Sequence, residues 1–180
     1  MSFKKEMSTM VSLTDGLKLD ILTLIPEREI KGIFQIHHGM SEYKERYLPF
    51  MEYLAEAGYV AAIHDCRGHG KSVRSQGDLG YMYGGGAQAL VEDAHQITID
   101  LKEKWPNMPL ILFGHSMGSL VVRDYTRNYD RDIDMLIVCG SPSKNKAAAF
   151  GLKIIKIMEK IKGDKHRSKL IKKLMFGGYN

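Results

Sequence analysis

Four short apolar runs constrain the fold of this chain more than any other feature of its sequence. They occupy residues 32–37, 59–64, 109–114 and 134–139, and amphipathic segments separate them. Runs this short and this uniformly apolar are typical of strands that are buried on both faces, and strands that alternate with helices form parallel sheets. The pattern therefore predicts an α/β fold, with a mostly parallel sheet that carries helices on both faces.

The segments between the runs have the spacing of helices, with apolar residues recurring three or four positions apart. Three segments show this spacing: 48–57, 89–105 and 119–129. The first is followed by Gly58, a typical helix stop. Ahead of the first apolar run, Asp15-Gly16 stands between alternating apolar positions, which predicts a β-hairpin over residues 8–26.

The composition is that of one folded domain. The chain has 180 residues, of which 44% are hydrophobic and 26% charged, so it is long enough to bury a sizeable core. No apolar run is long enough to cross a bilayer, and the first residues do not have the pattern of a secretory signal. Two cysteines, Cys66 and Cys139, do not make a disulfide framework, so we expect a reducing, cytoplasmic location.

Charge is distributed unevenly along the chain. Residues 1–143 contain 15 Lys and Arg against 19 Asp and Glu, whereas residues 144–180 contain 11 against 2. An asymmetry of this size indicates either a contact with an anionic surface or a lysine-rich face that is simply solvated. We expect no nucleic-acid partner.

A serine flanked by glycines follows the third apolar run directly. The residues Gly114-His115-Ser116-Met117-Gly118 fit the pattern G-x-S-x-G, with a predicted strand before them and a predicted helix after them. A turn of this kind strains the serine backbone and presents its hydroxyl above the helix N-terminus. We therefore expect Ser116 to be a nucleophile, with Gly114, His115 and Gly118 supporting the turn. The alternative is a tight turn whose serine caps the helix.

The first apolar run ends in His37-His38-Gly39-Met40, at the sheet edge where Ser116 is also expected. An oxyanion hole needs two backbone N–H groups close to the developing negative charge. Met117, directly after the nucleophile, and Met40, after Gly39, are the candidates. We expect His37 and His38 to cap loop carbonyls rather than to act in catalysis.

The loop after the second run, HDCRGHGKS at 64–72, is rich in glycine and suggests phosphate binding at first sight. Asp65 stands where a P-loop needs glycine, and Val73 stands where a dinucleotide fingerprint needs it. We expect Asp65, Arg67 and His69 to form a polar network that holds the loop. The chain has no H-E-x-x-H motif and no paired cysteine spacing, so we expect no metal, and the proposed chemistry requires no cofactor.

Together, HHGMSEY, HDCRGHGKS and GHSMG resemble the serine α/β-hydrolases of the monoacylglycerol lipase and lysophospholipase group, which is serine aminopeptidase-like. The resemblance covers about residues 8–145. It implies an eight-stranded, mostly parallel sheet, with Ser116 as the nucleophile and with Met40 and Met117 providing the N–H groups of the oxyanion hole.

In this group a helical cap follows the sixth strand. The resemblance therefore implies that residues 1–145 form the N-terminal part of the core and that the basic amphipathic segment 146–180 begins the cap. The cap would either line a lipid slot, with its lysines at a membrane surface, or pack on the core with its lysines in water.

The group also orders its triad as serine, aspartate, histidine. Asp164 and His166 have the right residue types, but they would have to fold back from the cap over Ser116. We expect the matching acid and histidine, and the last strands of the fold, to lie outside this sequence. On this interpretation the chain is the N-terminal portion of a longer protein, truncated after about the sixth strand.

The leading hypothesis is a serine hydrolase that cleaves acyl esters, such as monoacylglycerols or lysophospholipids, through an acyl-enzyme. Its partner would be a small acyl ester or lipid. Two alternatives remain open at this stage. One is a catalytically inactive, hydrolase-like domain that binds lipid or protein, and the other is a peptidase or thioesterase on the same fold.

Overall fold

The computed structural model describes residues 3–143, 160–161 and 163. In this part of the chain, six strands form one sheet in the order β1-β2-β4-β3-β5-β6. The strands are β1 (Phe3–Val11), β2 (Lys18–Pro26), β3 (Gly32–His37), β4 (Tyr59–His64), β5 (Leu110–His115) and β6 (Met135–Cys139). All four apolar runs are strands, as predicted.

Three α-helices connect the parallel strands: α1 (Leu48–Glu56), α2 (Gly86–Lys104) and α3 (Met117–Tyr129). Short 3₁₀ turns occupy Lys44–Tyr47, Gln76–Asp78 and Asp130–Asp132. One apolar cluster packs α1 against one face of the sheet, and a second packs α2 and α3 against the other face. The predicted α/β fold, with helices on both faces, is confirmed.

The sheet combines an antiparallel part, made by β1, β2 and β4, with a parallel part, made by β3 to β6. Strands β1 and β2 form the predicted hairpin around Gly16, whose φ of +71° suits glycine. Strand β2 then pairs antiparallel with β4. The pairs β3–β4, β3–β5 and β5–β6 are parallel. Parallel pairing brings the carboxyl ends of β3, β4 and β5 to one edge of the sheet, where ligand sites of such sheets lie.

The chain divides into two units, Met1–Pro142 and Ser143–Asn180. Almost all of the described residues belong to the first unit. The segment predicted to begin a cap falls in the second unit and lies largely outside the described residues, as do Asp164 and His166. The boundary between core and cap therefore stays a prediction. No helix within the described residues is long and apolar enough to cross a membrane.

A buried arginine joins the hairpin, the loop after β4 and helix α2. Arg67 is 0% exposed, and its Nε and Nη2 donate to the two carboxylate oxygens of Asp93 at 2.8 and 3.0 Å. Its other donor hydrogens reach Ser12, Asp15 and the carbonyls of the 82–84 loop. Because a buried charge is stable only when it is paired and hydrogen-bonded, this network fixes the position of the loop.

Replacing Asp93 with alanine should destabilise the protein by about 3–5 kcal/mol, because it leaves the Arg67 guanidinium buried without its main partner. Urea unfolding of the wild type and Asp93→Ala measures the effect. The matched control is Asp124→Ala, since Asp124 pairs with Arg127 at the surface at 3.1 Å and should contribute less than about 1 kcal/mol. Equal losses in the two variants would contradict a structural role for the buried pair.

Candidate active site

Ser116 lies in a sharp turn between β5 and α3, half-buried at the carboxyl edge of the sheet. Its φ is +52° and its ψ −113°, a conformation that non-glycine residues rarely adopt. It stands at the N-cap position of α3, but its side chain makes no capping hydrogen bond. The Ser116 carbonyl accepts from the N–H and the hydroxyl of Ser119, which closes the first turn of α3. The helix-capping alternative for Ser116 is therefore wrong.

The two glycines of the turn stand where strand and helix backbones meet. A Cβ on Gly114 would collide with the Gly118 carbonyl, and a Cβ on Gly118 would collide with the backbone of His37. Both positions lack the space for any larger residue. The glycines thus let α3 begin directly beside the end of β3, which brings Ser116 close to the loop that follows β3.

That loop carries the predicted oxyanion residues. A Cβ on Gly39 would lie only 3.1 Å from the Ser116 Cβ, so the loop passes directly beside the serine. The Gly39 N–H already donates to Glu42 Oε2 at 2.7 Å. The next amide, that of Met40, and the amide of Met117 at the first turn of α3 have no hydrogen-bond partner in the described part of the chain. Their assignment to an oxyanion hole stays a proposal.

Glu42 joins this loop to the serine turn, and the sequence analysis did not identify it. Its Oε2 accepts hydrogen bonds from the Gly39 N–H and from the Tyr47 hydroxyl, the latter at 2.8 Å. The same oxygen lies 3.2 Å from His115 Nδ1. Burial by itself raises the pKa of Glu42, but the hydrogen bonds from Tyr47, Gly39 and His115 outweigh it and hold this pKa below its ordinary value. Glu42 is therefore a carboxylate at neutral pH. No local sequence motif identifies Glu42, because its contacts with Tyr47 and His115 form only when the chain is folded.

The two histidines at the end of β3 behave differently from each other. His38 Nδ1 donates to the Gly39 carbonyl at 2.7 Å, while its Nε2 accepts from the Cys66 N–H at 2.9 Å. Both ring nitrogens are occupied, so His38 holds the loop as expected and cannot act as the base. His37 caps no loop carbonyl, contrary to the expectation. Its ring is buried and packs edge-on against His64, with ring centroids 4.9 Å apart.

The loop after β4 is held by Asp65 as well as by Arg67. The Asp65 carboxylate accepts from the backbone N–H and from Nζ of Lys44 at 2.8 and 2.7 Å, and from the Lys71 N–H at 2.9 Å. A Cβ on Gly70 would collide with this carboxylate. His69 Nδ1 contacts the Arg67 carbonyl at 3.1 Å. The expected polar network is present, and through Lys44 it also holds the segment that follows the Gly39 loop.

No histidine of the described residues is hydrogen-bonded to the Ser116 hydroxyl. Three acids that follow Ser116 within the described residues have other partners. Asp134 accepts from the Leu110 N–H at the opposite end of β5, and Asp132 contacts His95 at 3.0 Å. Asp124 pairs with Arg127 on α3. The described residues therefore contain the serine turn and the adjacent loop, without a base and acid in a triad arrangement with Ser116.

Comparisons of sequence identify the family of this chain. Residues 28–176 match the family described as serine aminopeptidase, S33. The monoacylglycerol lipase of Mycolicibacterium smegmatis is 27% identical over 125 residues, which are 69% of this chain and 43% of the relative. Phospholipase YtpA of Bacillus subtilis is 31% identical over 133 residues, covering 69% of this chain and 49% of the relative. The chain thus spans less than half the length of either relative.

Solved structures show the same fold. One similar structure is a thermostable carboxyl esterase from Bacillus coagulans in complex with glycerol. The match covers 100% of this chain and 59% of the esterase chain, with a TM-score of 0.86 and 29% sequence identity. Another is a soluble variant of monoglyceride lipase from Saccharomyces cerevisiae. The match covers 88% of this chain and 52% of the lipase chain, with a TM-score of 0.65 and 21% sequence identity. The chain has the α/β-hydrolase fold and belongs to the serine aminopeptidase S33 family, in a group similar to the monoacylglycerol lipases.

Proposed function

We propose that this chain supplies the nucleophile and the oxyanion hole of a serine hydrolase that cleaves acyl esters such as monoacylglycerols or lysophospholipids. The conformation of Ser116 carries the proposal. Its strained backbone leaves the hydroxyl free of any capping bond, at the carboxyl edge of a parallel sheet and beside the Gly39 loop. Strain of this kind costs about 1–3 kcal/mol and is typical of functional sites.

In the proposed reaction, Ser116 Oγ attacks the ester carbonyl and its proton passes to a general base. The carbonyl oxygen becomes an oxyanion, which the N–H groups of Met40 and Met117 stabilise. The position of Met117 at the start of α3 adds the favourable field of the helix N-terminus. Collapse of this intermediate releases the alcohol and leaves an acyl-enzyme, which water then hydrolyses. The base and its acid would come from outside the described residues.

The carboxylate of Glu42 would keep the oxyanion loop in its productive position. It binds the Gly39 N–H, which directs the loop so that the next amide, that of Met40, stays unbound. It also contacts His115, the neighbour of the nucleophile. Glu42 is thus a positioning residue that connects the two backbone segments of the proposed oxyanion hole.

The substrate class rests on the similar proteins. The relatives include a monoacylglycerol lipase and a phospholipase, and a similar structure is a carboxyl esterase in complex with glycerol. Carboxylic esters are the chemistry common to these names, and two of the names specify a lipid. We therefore favour such esters over peptides or acyl-thioesters as the substrate.

A binding domain without catalysis is the second candidate. A groove of about 550 Å³ lies between α2 and α3 and begins at the side chain of Met117. Its apolar wall includes Leu90, Leu120 and Val121, and Arg123 stands at its side. A groove of this chemistry would suit an acyl chain or an apolar segment of protein, whether or not Ser116 reacts.

A fluorophosphonate probe should label Ser116 in the full product of the reading frame that contains this chain, because only an activated serine reacts with it at a useful rate. Ser116→Ala should abolish the adduct, and Ser75→Ala, which changes an exposed serine of another loop, should not. Mass spectrometry of the labelled peptide identifies the site. An intact, folded protein without an adduct at Ser116 would favour the binding domain.

Hydrolysis of an ester panel tests the substrate class. Monoacylglycerols and lysophospholipids of different chain length should be cleaved faster than matched acyl-thioesters or peptides. If the reading frame continues, its full product should be at least about 100-fold faster than residues 1–180 alone, because loss of a triad member costs that much or more. Equal rates would mean that a base lies within these 180 residues.

Glu42→Gln should destabilise the protein by about 1.5–3 kcal/mol at neutral pH, since it removes a charge that accepts several hydrogen bonds. The folded-state pKa of Glu42 is lowered, so its contribution is fully present above the unfolded pKa of about 4.3 and is lost as pH falls through the lower folded value. Urea unfolding of both proteins between neutral and acid pH measures the difference.

The matched control is Glu56→Gln, which changes an exposed glutamate at the end of α1. Its effect on the free energy of unfolding should be small at every pH. A wild-type advantage over Glu42→Gln that stays constant down to acid pH would contradict the proposed charge-assisted role. A slower reaction of Ser116 with the fluorophosphonate in Glu42→Gln is expected as well.

A further inference from the structure

Three metal-ligating side chains lie together beneath the proposed active site and take no part in its chemistry. They are His37 at the end of β3, His64 at the end of β4 and Cys66 two residues later. All three are at most 1% exposed. One potential donor atom of each lies within 4.8 Å of the others.

Strand pairing creates the cluster. The parallel register of β3 and β4 sets Ile36 opposite Ile63, so the next residues, His37 and His64, are neighbours on one face of the sheet. Cys66 follows β4 and packs in the apolar cluster beneath α2 and α3. Because the residues come from two separate strands, they form no local motif, and the sequence analysis therefore expected no metal.

Three of the four imidazole nitrogens of this cluster lack a hydrogen-bond partner. Within the described residues, these are His64 Nδ1, His64 Nε2 and His37 Nδ1. His37 Nε2 contacts only weakly the side-chain nitrogen of Gln35, at 3.5 Å, the outer limit of a hydrogen bond. A neutral imidazole carries one N–H donor and one acceptor, and buried groups of this kind are nearly always satisfied in native proteins. Three unsatisfied nitrogens on two adjacent buried imidazoles therefore point to a ligand.

The donor atoms suit coordination. His37 and His64 each keep a ring nitrogen without a hydrogen-bond partner within the described residues, and a neutral imidazole offers one lone pair to a metal ion. Cys66 is a free, buried thiol. A metal ion would displace that thiol proton, as it does at other cysteine sites.

We propose that His37, His64 and Cys66 bind one transition-metal ion of the Zn²⁺ or Cu⁺ type, in a structural site that joins the ends of β3 and β4. Two imidazoles and one thiolate, with no carboxylate among them, select such ions over Mg²⁺ and Ca²⁺. Binding converts the Cys66 thiol and the ion into a metal–thiolate bond and releases one proton to solvent. The site is separate from the hydrolytic reaction.

The site requires a modest closure of its three side chains. Zinc binds imidazole nitrogen at about 2.0–2.1 Å and thiolate sulfur at about 2.3 Å, so the ligand atoms of a tetrahedral site lie about 3.4–3.6 Å apart. The three donor atoms lie within 4.8 Å of one another, so the side chains would have to close by about 1 Å to bind the ion. The bound ion would stiffen the ends of the two strands whose following loops contain Gly39 and Asp65.

The test is metal binding during refolding, because the site is buried in the folded chain. The protein is unfolded in denaturant with a chelator and refolded with Zn²⁺, Cu⁺, or Co²⁺ as a spectroscopic substitute for zinc. We expect one equivalent of metal per chain after desalting, one proton released per ion, and a thiolate-to-cobalt charge-transfer band. Competition between Zn²⁺ and Cu⁺ identifies the preferred ion.

Cys66→Ser should lose the charge-transfer band and bind Co²⁺ at least about 100-fold more weakly, and His64→Gln should weaken binding similarly. The matched control is Cys139→Ser, which removes the exposed cysteine and should change neither stoichiometry nor spectrum. Far-ultraviolet circular dichroism checks that each variant folds. Should a buried variant fail to fold, X-ray absorption of the wild type must still show one sulfur and two nitrogen ligands.

Two results would overturn the proposal. One is a wild-type protein that refolds correctly and retains no metal. The other is a metal signal that survives in folded Cys66→Ser but disappears in Cys139→Ser, which would assign the binding to the surface thiol. A rise in the urea midpoint on metal loading of the wild type, absent in Cys66→Ser, is the expected structural effect.

Discussion

The close approach of Gly118 to the backbone of His37 is the contact on which the rest of this structure depends. It sets α3 directly against the end of β3, and the parallel register of β3 and β5 places His37 opposite Gly114. Ser116 and the Gly39 loop become neighbours as a result. Without this contact the serine would still end a strand, but no backbone amide from another segment would lie beside it.

Carboxylates then hold the surrounding loops, and each joins parts of the chain that are distant in sequence. Glu42 connects the Gly39 loop with the serine turn, Asp65 connects Lys44 with the loop after β4, and Asp93 binds Arg67 from α2. Each accepts charge-assisted hydrogen bonds in a largely buried place, where such bonds are stronger than at the surface. These bonds hold the loops at the edge of the sheet in defined positions.

The sequence predicts the features that local chemistry determines. Apolar run length identified the parallel strands, Asp15-Gly16 identified the hairpin, and the glycines around Ser116 identified the turn. Features that depend on strand register could not be predicted in this way. Glu42 has no motif of its own, and His37 was expected to cap a carbonyl because its neighbour across the sheet, His64, is 27 positions away. The roles of Met40 and Met117 stay predictions, since they concern a bound substrate.

The exposure of Met40 has a consequence for how substrate preference could change. Its proposed contribution comes from the backbone amide, while its side chain is 40% exposed beside the serine turn. Gly39, in contrast, cannot take a side chain without striking Glu42 and Ser116. Position 40 is therefore free to vary in size and polarity while the hydrogen bond it offers stays the same. Evolutionary divergence or laboratory selection could therefore change the entrance to the site at position 40. The neighbouring position, 39, would have to remain glycine.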